Sequence, residues 1–80
     1  MKKYRKVLVT WRDAFTHTGW EDADISAEDA SAVYCESVGY LLHQNKTDIV
    51  LAQTIGGDQV NGRITIPRDW ICGKIVTLKT

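Results

Sequence analysis

Proline is nearly absent from this 80-residue chain, occurring once, at Pro67, and cysteine occurs twice, at Cys35 and Cys72. The two cysteines are far apart and form no C-x-x-C pair, so the close ligand spacing of structural zinc is missing. The basic start is followed by no apolar stretch with a cleavage site, so the expectation is a reducing cytosol with buried thiols. No run of apolar residues approaches a membrane span, and no membrane association is expected. Charge of one sign is also missing: ten Lys and Arg balance ten Asp and Glu. Phosphate affinity needs a cationic surface, so general nucleic-acid binding is not expected. Repeats, linkers and low-complexity segments are absent, which leaves one domain over residues 1–80.

What is present is apolar and aromatic. Hydrophobic residues make up 44% of the chain, with three tryptophans, a composition of an ordered globule. A chain this short builds a small core, and association with further copies is a common remedy. The most informative run is Ile64-Thr65-Ile66-Pro67-Arg68-Asp69-Trp70-Ile71, leading into Cys72-Gly73-Lys74-Ile75-Val76-Thr77-Leu78. Proline fixes φ and carries no donor, so it ends a ladder and suits the start of a helical turn. The pattern predicts a strand, a single 3₁₀ turn and a last strand.

Period-two patterning places the other strands. Strand one is expected over Tyr4–Trp11, with Val7, Val9 and Trp11 on one face and Leu8 and Thr10 on the other. Strand two is expected over Val33–His43, where the interior Gly39 marks a bulge or bend. Gln44-Asn45-Lys46-Thr47 reads as a turn. Strand three is expected over Asp48–Ile55, Gly56-Gly57-Asp58 as a hairpin, strand four over Val60–Ile66 and strand five over Ile71–Leu78. Several strands are apolar on both faces: Leu8 lies opposite Val7 and Val9, and Val50 and Ala52 opposite Ile49 and Leu51. One small barrel cannot bury both sets, which points to a homo-oligomer.

A long polar excursion, Arg12–Ser31, separates the first two strands. Ser26-Ala27-Glu28-Asp29 resembles a capping box, and one short helix is expected over Ala27–Ala32. Phe15, Trp20 and Ile25 are the apolar residues available to pin the excursion down. Charge is uneven here. Lys2, Lys3, Arg5 and Lys6 make the start basic, whereas residues 13–36 hold seven acids and no Lys or Arg. Such asymmetry is either a solvated face or an interaction surface.

This order of strand, long excursion, three strands joined by short hairpins, one-turn helix and strand resembles the SH3-like barrel class. Gly56-Gly57 corresponds to the distal hairpin of that class and Ile66–Ile71 to its proline-containing turn. The resemblance implies an all-β, five-stranded SH3-like small barrel with one short helix. Layout is shared by many unrelated functions. The peptide-binding members carry a tryptophan at the start of the third strand, and Asp48-Ile49-Val50 has none, so polyproline binding is not expected. A second resemblance is to Sm-like small barrels, which implies an RNA-binding ring, although here the helix follows the first strand. The pieces Val9-Thr10-Trp11-Arg12-Asp13-Ala14, Cys35–Leu42, Ile49–Gln53 and Ile66-Pro67-Arg68 are similar to short bacteriophage and prophage proteins. That resemblance implies an accessory protein of the host cytoplasm, with a counter-defence role in which a nucleotide signal is sequestered.

No catalytic signature stands out. His17 and His43 have no nucleophile motif beside them, and Glu28 with Asp29 is explained by a helix start. Cys35 and His43 lie about 26 Å apart along a strand, too far for common ligation. Gly56-Gly57 has no Walker lysine. The chain therefore reads as a non-enzymatic binding protein with no cofactor and no metal. Its candidate ligand residues are Arg12, Trp20, Tyr40, Arg68 and Trp70, with Tyr34 beside them. Arginine gives bidentate contacts to phosphate, and tryptophan and tyrosine stack on bases. The favoured ligand is a nucleotide-like or phosphorylated small molecule. The plain alternatives are core packing for Trp11 and Trp70, and solvation or an Asp69 pair for Arg68. The competing function is a protein–protein interaction in which the acidic 13–36 segment binds and blocks a host protein.

Overall fold

The computed structural model describes residues 3–13, 19–24 and 33–79. It contains β1 (Lys6–Asp13), β2 (Val33–Gln44), β3 (Asp48–Gly56), β4 (Gln59–Pro67), a 3₁₀ turn (Arg68–Trp70) and β5 (Val76–Thr77). The strands form one antiparallel sheet in the order β4-β3-β2-β1-β5. The protein is all-β in its described residues. The helix expected over 27–32 lies outside them, as do Phe15, His17 and Ile25.

Alternation decides the faces. Val7 and Val9 from β1, Leu41 from β2, Ile49 and Leu51 from β3 and Ile66 from β4 pack into one buried cluster, with Trp11, Ile71 and Ile75 half-buried against it. Each of these strands carries its β-branched or leucine side chains at even spacing, so pairing in register stacks them on one side. Only five large side chains are fully buried among the described residues: Ile49, Leu51, Ile66, Val7 and Val9.

The turns follow local chemistry. Gly57, with φ of 59°, takes the first central position of the β3–β4 hairpin, where Gly56 pairs with Gln59. A positive φ at that site suits a type II′ turn, and glycine adopts it without a Cβ clash. At the β2–β3 turn, the Asn45 side-chain oxygen accepts from the backbone N–H groups of Thr47 and Asp48, at 2.9 and 2.8 Å. This is a side-chain substitute for a backbone turn.

Three expectations need correction. The bulge in β2 falls between Leu41 and His43, not at Gly39. Gly39 matters for another reason: a Cβ there would lie 2.9 Å from the Ala52 carbonyl oxygen and 3.3 Å from Leu51 Cβ, so strand β3 approaches too closely for any side chain. The last strand is not continuous from Ile71 to Leu78. Ile71 makes an isolated bridge to Trp11, Gly73 has φ of 73°, and ladder pairing resumes only at Val76–Thr77. The interruption falls at that left-handed glycine. Finally, β4 and β5 are the two edges of the sheet, and no ladder joins them among the described residues. The sheet is not closed into a barrel by hydrogen bonds.

Pro67 nonetheless ends β4 as expected. It is the last residue of that strand, opposite Asp48, and the 3₁₀ turn follows at once. The Arg68 N–H donates to the Thr47 carbonyl at 2.8 Å, and the Cys72 N–H donates to the Thr10 carbonyl at 2.7 Å. The chain thus steps from the β3 side of the sheet to β1 within one turn.

Candidate functional site

The step between β4 and β1 creates an aromatic corner. Trp11 projects from the core face of β1. Trp70 ends the 3₁₀ turn, and the bridge from Ile71 to Trp11 brings the two indoles together. Their ring centroids are 6.3 Å apart and their planes differ by 14°, a stacked pair. The Trp11 Nε1–H donates to Ser37 Oγ at 3.0 Å, which fixes the inner ring on strand β2. Trp70 keeps 42% of its surface exposed. An indole held from behind by a second indole offers a rigid, apolar, planar surface to solvent.

Arg68 begins the same turn and faces the β2–β3 turn. Its Nε donates to the Asn45 carbonyl and its Nη2 to Gln44 Oε1 at 2.8 Å. These bonds lock the 3₁₀ turn onto the preceding hairpin. The Nε–Nη2 fork is thereby engaged, and the far end of the guanidinium is the part left to meet an anion.

The other candidate residues lie elsewhere. Arg12 follows Trp11 and therefore points to the opposite face of β1, where its guanidinium carbon sits 5.4 Å from the Tyr34 ring centroid. Arg12 and Tyr34 are opposed in the β1–β2 register, so the cation–π contact is a cross-strand pair. Tyr40 is half-buried on β2 between Lys6 and Ala52, also away from the Trp11 face. Trp20 is fully exposed and pins nothing. Of the five candidates, only Arg68 and Trp70 share one local element, and the residue added to them is Trp11. Its place on the core-facing side of β1 was readable from alternation, but its partnership with Trp70 was not.

Further features complete the surface. Cys35 and Cys72 are free and half-buried rather than fully enclosed. Strand β2 pairs with β3 only through Tyr40–Gln44 and diverges beyond Gly39. The fork holds a cavity of about 240 Å³ lined by Ser37, Leu51, Gln53, Gly62 and Ile64, among others. On the outer face, Leu8 is opposed by Val38 on one side and Val76 on the other, and both valines are about half exposed. The acids Glu21, Asp22, Asp24 and Glu36 are all exposed. No helix of the described residues is long and apolar enough to cross a membrane. No protein-family model, no curated protein and no solved structure matches the chain.

Proposed function

We propose that this chain is a non-catalytic binding module of SH3-like layout that associates with copies of itself. Its ligand is a nucleotide-like molecule whose base stacks on the exposed face of Trp70. The observation that carries the reading is the Trp11–Trp70 stack with Trp70 42% exposed. Every nucleobase has a π-face, and stacking on an aromatic platform holds bases without a sequence code. Arg68, two residues before Trp70 on the same turn, is bonded to Gln44 and Asn45 and brings a positive charge to this end of the sheet for a phosphate.

Strand order and the proline turn support the SH3-like reading, because β1 joins β2 and β5 while β2 also joins β3. Self-association is supported by the β4 edge. Strand β4 is exposed along seven of its nine residues, including Val60 and Ile64. A long strand edge with apolar side chains and one charge, Arg63, is a pairing surface. A phage accessory role, with a nucleotide signal as the sequestered molecule, fits this reading.

Tryptophan fluorescence tests it. Nucleoside monophosphates and cyclic dinucleotides are titrated while emission is followed. Saturable quenching that W70A abolishes is the expected result. Quenching absent up to millimolar ligand, or unchanged in W70A, sinks the reading.

One observation favours a second reading. Trp20 is fully exposed and is followed directly by Glu21 and Asp22. An exposed tryptophan with an acidic rim is the anchor pattern of a protein interface with a basic partner. Charge reversal at Glu21, Asp22 and Asp24 separates the two readings, because it leaves a Trp70 platform untouched.

A further inference from the structure

The residues before β1 run on beside β2 past the end of the β1–β2 ladder: the Leu41 N–H donates to the Arg5 carbonyl at 2.8 Å. At this point β2 bulges between Leu41 and His43. A bulge re-aims the side chains around it and is over-represented beside binding sites. Between the bulge and the N-terminal segment lies an open surface depression of about 330 Å³, lined by Lys3, Tyr4, Arg5, Leu41, Leu42, His43 and Gln44.

The lining is electrostatically one-sided. The residues that line the depression include Lys3, Arg5 and His43 and no Asp or Glu, in a chain whose acids and bases balance. Two of its polar groups are held in place. Arg5 Nη1 donates to Thr77 Oγ1 at 2.9 Å, which ties the guanidinium to β5. Gln44 Oε1 accepts from Arg68 Nη2 at 2.8 Å, so the amide oxygen is occupied and its NH₂ end remains to donate. The same bond puts the Arg68 guanidinium one hydrogen bond from the rim. Donors fixed before binding lose less freedom when a ligand arrives.

We infer that the Lys3–Arg5–His43–Gln44 depression is an anion site for a small, multiply charged phosphate compound. It goes beyond the stacking platform and does not depend on it. Lysine and arginine together suit clustered phosphoryl oxygens, one as a compact charge and one as a planar fork. The same chemistry is carried by a free polyphosphate and by the phosphate chain of a nucleotide.

Isothermal titration with inorganic triphosphate and, separately, with ATP tests the site at fixed ionic strength. The expected result is one saturable site per chain for triphosphate. R5Q is expected to weaken it tenfold or more, as loss of one charge-assisted contact implies. Because R5Q also breaks the Thr77 bond, K3Q serves as the second variant, and weakening of severalfold is expected there. Amide shifts on titration are expected at Lys3, Arg5 and Leu41–Gln44. W70A is expected to leave triphosphate binding unchanged, so failure of the stacking platform and failure of this site are read separately. Tighter binding of ATP than triphosphate, lost in W70A, assigns the nucleotide as the source; equal binding assigns the free phosphate chain. No saturable binding above a chloride control, unaltered affinity in both variants, or shifts scattered over the surface overturns the proposal. Binding that appears only with a single-stranded RNA oligomer and collapses with salt overturns it as well.

Discussion

Trp11 and Trp70, far apart in the chain, stack at 6.3 Å between centroids with planes only 14° apart. The pair joins the core face of β1 to the 3₁₀ turn that follows Pro67. One indole is anchored through Ser37 and the other meets solvent. This single contact both secures the corner of the sheet and forms the surface proposed to bind a ligand.

The first prediction concerns that coupling. W11A is expected to cost about 3–5 kcal/mol, since it empties a site packed against the core. W70A is expected to cost less, about 1–2 kcal/mol, because much of the ring is exposed and the stack itself contributes about 0.5–1.5 kcal/mol. Urea unfolding of both single variants and the double variant gives the interaction term. Strict additivity would show that the two rings touch without stabilising one another.

Arg68 is expected to be structural as well as charged. R68Q removes two donated bonds to the Gln44–Asn45 turn. Both bonds are at the surface, where water competes, so the expected loss is about 1 kcal/mol. R68K is expected to recover little of it, because an ammonium cannot reproduce the Nε–Nη2 fork. Full stability of R68K in thermal unfolding would contradict a fork-specific tether.

Gly39 tests the approach of β2 to β3. G39A places a methyl 2.9 Å from the Ala52 carbonyl oxygen, a backbone atom that cannot swing aside. The expected cost is about 2 kcal/mol, in the range of overpacked cores. G57A is the contrast: its Cβ meets nothing within 4 Å, but φ is 59°, so a cost of about 1–2 kcal/mol arises from conformation alone. Hydrogen exchange separates them. G39A is expected to loosen the amides of Leu41, Leu51 and Ala52, and G57A only those of the hairpin.

Strand β4 is expected to carry self-association. V60K puts a charge on an exposed position of the open edge without entering the buried cluster. Sedimentation at micromolar concentration is expected to give at least two chains for the parent protein and one for V60K, with unfolding in urea nearly unchanged. A parent protein that sediments as one chain removes self-association from the functional reading. An unchanged mass in V60K moves the interface off this edge.

Much of the fold was legible because it rests on short-range signals. Alternation put Val7 with Val9 and Ile49 with Leu51 on common faces, and those are the faces the structure buries. Asn45 and Gly57 marked the turns through their side chain and φ. The break after Pro67 was readable from a ring that cannot donate. The bulge between Leu41 and His43 was not, since a register shift is decided between strands. Nor was the interruption of the last strand, since the pattern reads as one strand over Ile71–Leu78 and Gly73 breaks it.

The candidate site was only partly legible for the same reason. Arg12 and Trp70 are both ligand candidates in the sequence, yet Trp11, one residue before Arg12, is the one that meets Trp70. Period-two geometry sends adjacent residues to opposite faces, so a one-residue choice decides between a platform and a cross-strand contact with Tyr34.

By itself the sequence determined the first four strands, the turns between the second and fourth of them, the place where the fourth must stop and the balance of charge, because φ restrictions and alternation act within a few residues. Only the tertiary structure decided that the sheet stays open at β4 and β5. It alone set Arg68 against Gln44 and Asn45, and it gathered Lys3, Arg5 and His43 around one depression. Those outcomes depend on how strands register and diverge, and register is a property of pairs of segments distant in the chain.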